Sequence, residues 1–209
     1  MQKIKLCDVK VEKKKKENLD WYKVIVILII TFFCSLMFST ILNTSFNVMQ
    51  IDGTSMANTL QHKDNVVVFK LGTYMRGDVI IFVSPDFVNN PYRKEYLVKR
   101  IIALPGDYIE VVRLGSKMVT YVNDEEVDES YLTIEDTAYK KGFAKYKLGE
   151  DEFFYMGDNR MDSYDSRAGN RFGTFSRSVI IGRVVLRYAI FRDENGKLKV
   201  DADAIDRIA

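Results

Sequence analysis

The sequence predicts a mainly β fold: an antiparallel sheet or barrel-like domain behind one N-terminal transmembrane helix. Three observations predict it. A single uncharged apolar run lies near the N-terminus. After it, short β-branched runs alternate with Gly, Pro and Asp turn signals. No regular strand–helix alternation appears, which favours antiparallel over doubly wound sheets. The 209 residues leave room for about one domain and an appendage.

The first 23 residues carry eight lysines (Lys3, Lys5, Lys10, Lys13 to Lys16 and Lys23) against four acids (Asp8, Glu12, Glu17 and Asp20). From Val24 to Leu42 the chain runs 19 residues without a charge, and the next charge is Asp52. As a helix this run reaches ~28 Å, close to a hydrocarbon core. Trp21 and Tyr22 sit at its lysine-rich end, where interfacial aromatics belong. No Ala occurs before Ala57, so an A-x-A cleavage site is missing and a retained anchor is expected rather than a removed leader. Lysines cluster before the span and the next follows only at Lys63, which places the N-terminus in the cytoplasm and the rest outside. The expected organisation is a cytoplasmic segment 1–23, an anchor 24–45, an extracytoplasmic domain 46–191 with an excursion at 123–151, and a polar tail 192–209. Apolar Phe46, Val48 and Met49 are expected to dip into the interface.

Strands are expected at Val66–Phe69, Asp78–Val83, Tyr96–Leu104, Tyr108–Val112, Lys117–Val122, Glu152–Met156 and Val179–Ile190. Arg76-Gly77, Ser84-Pro85 and Pro105-Gly106-Asp107 punctuate them. The only cysteines are Cys7 and Cys34, so the outer domain must fold without disulfides. Its size lets it bury an adequate core unaided.

Composition also excludes functions. Lys+Arg is 31 and Asp+Glu 29, so a net charge of +2 gives no footprint for nucleic acid. One His and two Cys cannot assemble the common zinc sites.

Three segments carry candidate chemistry. Ser55 lies in Ile51-Asp52-Gly53-Thr54-Ser55-Met56-Ala57-Asn58-Thr59-Leu60, a polar turn just past the anchor. Lys99 lies in a strand whose period of two puts Leu97, Lys99, Ile101 and Ala103 on one face, and Val98, Arg100 and Ile102 on the other. An amine among apolar neighbours loses hydration, its pKa falls, and the neutral form can accept a proton from a serine hydroxyl. The third segment is Gly157-Asp158-Asn159-Arg160-Met161-Asp162-Ser163-Tyr164-Asp165-Ser166-Arg167. As a calcium loop it fails, because Arg160 occupies a ligand position and no Glu follows at the needed spacing. As a polar network, Asp165 could pair with Arg167 or Arg100, and Ser163 could bond a neutral Lys99. His62 offers a different triad with Ser55, or is simply a surface histidine.

Together these segments resemble a known family. Ser55-Met56-Ala57-Asn58-Thr59-Leu60 is similar to an S-M-x-P-T-L box. Arg76-Gly77-Asp78-Val79-Ile80-Ile81-Phe82 is similar to R-G-D-[IV]-[IV]-V-F, and Lys99-Arg100-Ile101-Ile102-Ala103-Leu104-Pro105-Gly106-Asp107 to K-R-[IV]-x-[GA]-x-P-G-D. Gly157 through Arg167 matches G-D-N-R-x-x-S-x-D-S-R. Four boxes in order behind an anchor resemble the bacterial type I signal peptidases, membrane-bound endopeptidases with a Ser/Lys dyad. The resemblance covers the anchor and most of 47–190. It implies Ser55 as nucleophile and Lys99 as general base. Gly53 stands where some members carry an oxyanion-hole hydroxyl. Ser163 would orient the lysine, with Asp165, Arg167 and Arg100 supporting. Met49, Ile51, Met56, Ile81, Leu97 and Val98 would line pockets for small side chains.

It further implies no cofactor and no metal. Secretory preproteins, cut after A-x-A, would be the substrates; the lipid bilayer would be the other partner, and the enzyme a monomer. A bacterial, Gram-positive cell membrane is the expected location. Two departures stand out: Asn58 replaces the box's proline, and Ala168 to Arg171 lengthen the spacing to Phe172-Gly173. The first motivates an alternative, a non-catalytic relative acting as an assembly module for surface fibres.

Overall fold

The computed structural model describes residues 20–84, 95–133, 144–168, 173–195 and 197–204. The lysine run 13–16, part of the excursion and the extra residues 169–171 lie outside them.

Helix α1 spans Trp21–Ser45. Twenty-five residues at 1.5 Å rise give ~38 Å, enough to cross a bilayer core. Its apolar side chains point outward all round, including Ile27, Phe32, Met37 and Phe38. The hydroxyls of Thr31 and Thr40 donate to the carbonyls of Leu28 and Leu36, so neither needs water. This helix is long and apolar enough to span a membrane. Most of it, through Ile41, forms one compact unit of the chain, and Leu42–Ala209 forms the other.

The second unit is built of antiparallel strands. They are β1 (Phe46–Gln50), β2 (Asn65–Phe69), β3 (Val79–Val83), β4 (Tyr96–Ala103), β5 (Tyr108–Leu114), β6 (Lys117–Val122), β7 (Glu125–Glu126), β8 (Ala144–Lys147), β9 (Phe154–Met156), β10 (Ile180–Arg192) and β11 (Leu198–Ala204). One sheet runs β1-β2-β10-β3-β4-β9, with β11 paired to β10; the other runs β7-β6-β5-β8. The β1–β2 hairpin and the β3–β4 pair meet only across β10, the 13-residue strand between them.

The expected strands are present, with ends shifted by a residue or two. Four further strands were not expected. Phe46–Gln50, read as an interfacial dip, pairs along its whole length with β2. The segment 192–209, read as a polar tail, supplies β11, whose register runs from Leu186↔Ala204 to Arg192↔Leu198. The excursion supplies β7 and β8 to the second sheet.

Three apolar clusters hold the unit together. Ile51, Met56, Leu60, Val66, Val68, Val79, Ile81 and Val184 form the cluster that includes the loop between β1 and β2. Ile80, Phe82, Ile101, Tyr155, Phe153 and Phe175 form an aromatic-rich cluster, with Phe82 and Phe175 stacked at 4.6 Å. Ile102, Ala103, Ile109, Val111, Met118 and Phe154 join β4 and β9 to the second sheet. Here one expectation fails. Ala103 packs with Ile102 rather than with Leu97 and Ile101. The β4–β9 register slips between Ile101↔Tyr155 and Ala103↔Phe154, and a bulge of this kind resets the alternation.

Candidate active site

Ser55 sits half-buried in the loop between β1 and β2. The loop is closed at its base by Ile51 N–H to Asp64 O (2.8 Å) and Lys63 N–H to Ile51 O (2.9 Å). Buried Ile51, Met56 and Leu60 hold it down. Tight turns follow from Ala57 N–H to Thr54 O and Leu60 N–H to Met56 O. Gly53 has φ +117°, a conformation strained for any L side chain. Its N–H donates to His62 Nδ1 at 3.2 Å. His62 also lies 3.3 Å from Asp52 Oδ1, so the lone histidine braces Gly53 from the loop's outer side.

β4 carries Lys99 opposite Ile80 and Arg100 opposite Val79. Lys99 is only 3% exposed. Burial pushes its amine down from 10.5 to about 8; Asp165, Asp158 and Asp162 pull the other way, and Arg167 adds to the lowering. Arg100, 1% exposed, turns to Asp158: Nε donates to Oδ1 at 2.9 Å and Nη2 to Oδ2 at 2.6 Å.

The third element is the segment from Gly157 to Ala168. Asp165 is its hub. Burial alone would raise its carboxyl, yet hydrogen bonds from Arg167, Gly157 N–H and Ser163 hold it below the ordinary carboxylate range. Arg167 grips it with two bonds of 2.8 Å. Ser163 Oγ donates to Asp165 Oδ2 at 2.7 Å. The Ser163 hydroxyl thus gives its proton to the carboxylate, which leaves its oxygen able to accept from an amine. Of the two arginines weighed for Asp165, Arg167 takes it and Arg100 does not.

The nucleophile loop and this segment are laced together. Asn159 N–H donates to Ser55 O (3.1 Å) and Asn159 Nδ2 to Thr54 O (3.0 Å). Thr54 Oγ1 donates to Asp162 (2.9 Å), Thr59 Oγ1 to Asp158 (2.5 Å) and Asn58 Nδ2 to Asp158 O (3.0 Å). Asp158 N–H points at the Met56 sulfur (3.4 Å). Gly157 marks the closest approach. A Cβ there would collide with Ser163 Oγ and lie 2.5 Å from Ser55 O. Ser55, Gly157, Ser163 and Asp165 therefore share one small region, and Asp165 acts electrostatically on Lys99.

Beside Ser55 opens a groove of about 350 Å³. Met49, Gln50, Ile51 and Asp52 line one wall; Ile81 and Glu95 to Val98 line the other. Met49, Ile51, Ile81, Leu97 and Val98 lie in this lining as expected positions for substrate. Met56 does not; it is 1% exposed, within the core beneath the loop. Sequence reasoning missed Asp158, Thr59 and Asn159 as connectors. A buried Arg100 needs a carboxylate, but the sequence does not say which of the acids in the third segment supplies it. It also missed Glu129 and Tyr131, whose partners lie far away in the chain. Among the described residues, no cluster of His, Cys, Asp or Glu fits a metal ion.

The family model described as signal peptidase, peptidase S26, matches residues 19–189. Signal peptidase I S of Bacillus subtilis (strain 168) is 33% identical over 81% of this chain and 88% of its own length. Signal peptidase I P of Bacillus subtilis subsp. natto is 35% identical over 83% and 89%. Signal peptidase I of Bacillus amyloliquefaciens is 31% identical over 81% and 86%. With a buried lysine, a half-buried serine and a lined groove on an antiparallel scaffold, and with these relatives, the chain belongs to the S26 signal peptidase family and is a serine endopeptidase.

Proposed function

We propose that this chain is a membrane-anchored signal peptidase I that removes N-terminal signal peptides from secreted preproteins after small residues, using Ser55 as nucleophile and Lys99 as general base. The observation that carries the reading is the buried amine of Lys99, depressed by burial and acted on by Asp165, Asp158 and Asp162 of the segment that is hydrogen-bonded to the Ser55 loop. An amine with a pKa near 8 is neutral in about a fifth of molecules at physiological pH, against roughly a thousandth for an ordinary lysine. It accepts the Ser55 proton as Oγ attacks the scissile carbonyl. The resulting ammonium returns the proton to the departing amine as the C–N bond breaks. Water then attacks the acyl-enzyme while Lys99 again takes a proton, and Ser55 leaves with its hydroxyl restored. The oxyanion is met by backbone N–H groups, foremost that of Ser55. The N–H of Gly53 is engaged by His62.

The groove suits an extended chain. A substrate strand entering between β1 and β4 presents alternate side chains to its walls. Walls of Met49, Ile51, Ile81 and Val98 leave room for small side chains, which agrees with an A-x-A preference. Helix α1 tethers the chain to the bilayer, with its lysine-rich flank inside and the residues from 46 onward outside. Asn58, the residue that favoured a non-catalytic relative, bonds Asp158 O and so supports the loop; the assembly-module reading is not favoured. The test is mass spectrometry of products from a panel of preproteins incubated with the detergent-solubilised chain. Cleavage after A-x-A by the wild type, abolished in Ser55→Ala and in Lys99→Ala, is expected. Unchanged cleavage by Lys99→Ala would overturn the reading.

A further inference from the structure

We propose that Glu129 and Tyr131, on the excursion after β7, are positioning residues that hold the base-bearing strand and the Gly157–Ala168 segment in their working arrangement. The inference rests on the Ser55/Lys99 reading and deepens it. It gives the excursion a task in the reaction that no sequence motif assigns to it.

The contacts run in two directions from one short stretch. The Tyr131 ring lies over the Arg100 guanidinium, 4.1 Å from Cζ to the ring centre, and Arg100 immediately follows Lys99. Its hydroxyl accepts from Arg160 Nη2 at 3.1 Å and donates to Glu129 Oε1 at 3.2 Å. Glu129 forms a salt bridge with the fully buried Arg160 side chain. Its other oxygen accepts from Thr120 Oγ1 on β6 at 3.1 Å, which ties the arrangement to the second sheet. Arg160 in turn donates Nε to Gly157 O at 3.0 Å, and its own carbonyl accepts from Arg167 Nη2 at 3.2 Å. Arg167 is the partner of Asp165. The excursion therefore caps two arginines: one clamps Asp158 beside Lys99, the other fixes the turn that carries Ser163 and Asp165. A guanidinium stacked on an aromatic face and fixed by a carboxylate loses its freedom to swing.

The groups that face the Lys99 amine are Asp165, Asp158 and Asp162, with Arg167 opposing them, and Arg100 neutralises Asp158. If Tyr131 is removed and Arg100 loosens, Asp158 is less compensated. The lysine then stays protonated to higher pH. The acid limb of the rate profile should move up.

The experiment uses the full chain in detergent with a preprotein substrate, across pH 6 to 10. For Tyr131→Leu the expected result is a loss of kcat/KM of roughly tenfold at pH 7 and a smaller loss at pH 9, carried by kcat. Tyr131→Phe keeps the ring over Arg100 and should retain most of the activity. Glu129→Gln serves as the second variant should Tyr131→Leu fail to fold. A second readout needs no catalysis: competitive acetylation of Lys99 against pH, followed by mass spectrometry in the Ser55→Ala background. Its midpoint should rise in Tyr131→Leu and in Glu129→Gln. If the wild type does not cleave, the peptidase reading falls, and the acetylation midpoint still decides the role of the excursion. A folded Tyr131→Leu with wild-type rates, or with equal losses at pH 7 and 9 and an unmoved midpoint, overturns the proposal.

Discussion

At the scale of single residues, the decisive quantity is the free energy of placing an ammonium where Lys99 lies. Folding depresses its pKa to about 8, so the protonated amine is penalised in the native state. That penalty is full below pH 8, fades as pH rises from 8 to 10.5 and is gone above 10.5, because only the unfolded chain holds the proton in between. Two outcomes follow. The rate should climb with pH through a midpoint near 8 and level off above it, read from kcat/KM on a preprotein substrate. Lys99→Met should lose at least about a thousandfold in activity. The same variant should resist denaturation better at pH 7, by roughly 2–3 kcal/mol, with the gain shrinking toward pH 10.5. Urea titration in detergent micelles at both pH values checks it. The candidate lysine was legible from alternation alone, since Leu97 and Ile101 flank it on one face. The partner of Arg100 was not. An arginine next to two possible carboxylates is decided by packing, and Asp158 is reached only once Thr59 and Arg100 converge on it.

At the scale of elements, the Gly157–Ala168 segment is a splint for the nucleophile loop. Gly157→Ala would push its new methyl group against Ser163 Oγ and the Ser55 carbonyl. A displacement of that size at a nucleophile should reduce kcat roughly a hundredfold while leaving the groove and KM little changed. Steady-state kinetics on a peptide substrate separates the two. Asp165→Asn removes the charge that Arg167 faces inside the protein. The loss of stability should be about 3–5 kcal/mol, seen as a lower denaturation midpoint. It also withdraws the field that raises Lys99, so any residual activity should extend to lower pH. Element boundaries were readable where apolar runs meet Gly or Pro, as at Arg76-Gly77 and Pro105-Gly106. β11 was harder: Leu198 and Val200 alternate with Lys199 and Asp201, but both faces stay wet, and a strand exposed on both faces has little hydrophobic contrast. β1 was missed as a strand because exposed Phe46 and Val48 leave it little hydrophobic contrast between its faces.

At the scale of the whole molecule, an apolar helix and a cysteine-free unit after it were both visible in the sequence, because each is a matter of composition rather than of partners. Orientation is open to direct measurement. Protease added outside intact cells should digest the chain beyond α1 and spare the lysine-rich flank. Replacing α1 by an unrelated apolar helix of equal length should preserve cleavage, since the residues of the site all lie between Met49 and Arg167.

The order of the chain and the order of the sheet disagree in one place, and timing follows from it. β10 follows both in the chain, yet in the sheet it lies between the hairpin flanking Ser55 and the pair bearing Lys99. Until β10 is made and slots in, the sheet that holds the Ser55 hairpin beside the Lys99 pair lacks its central strand.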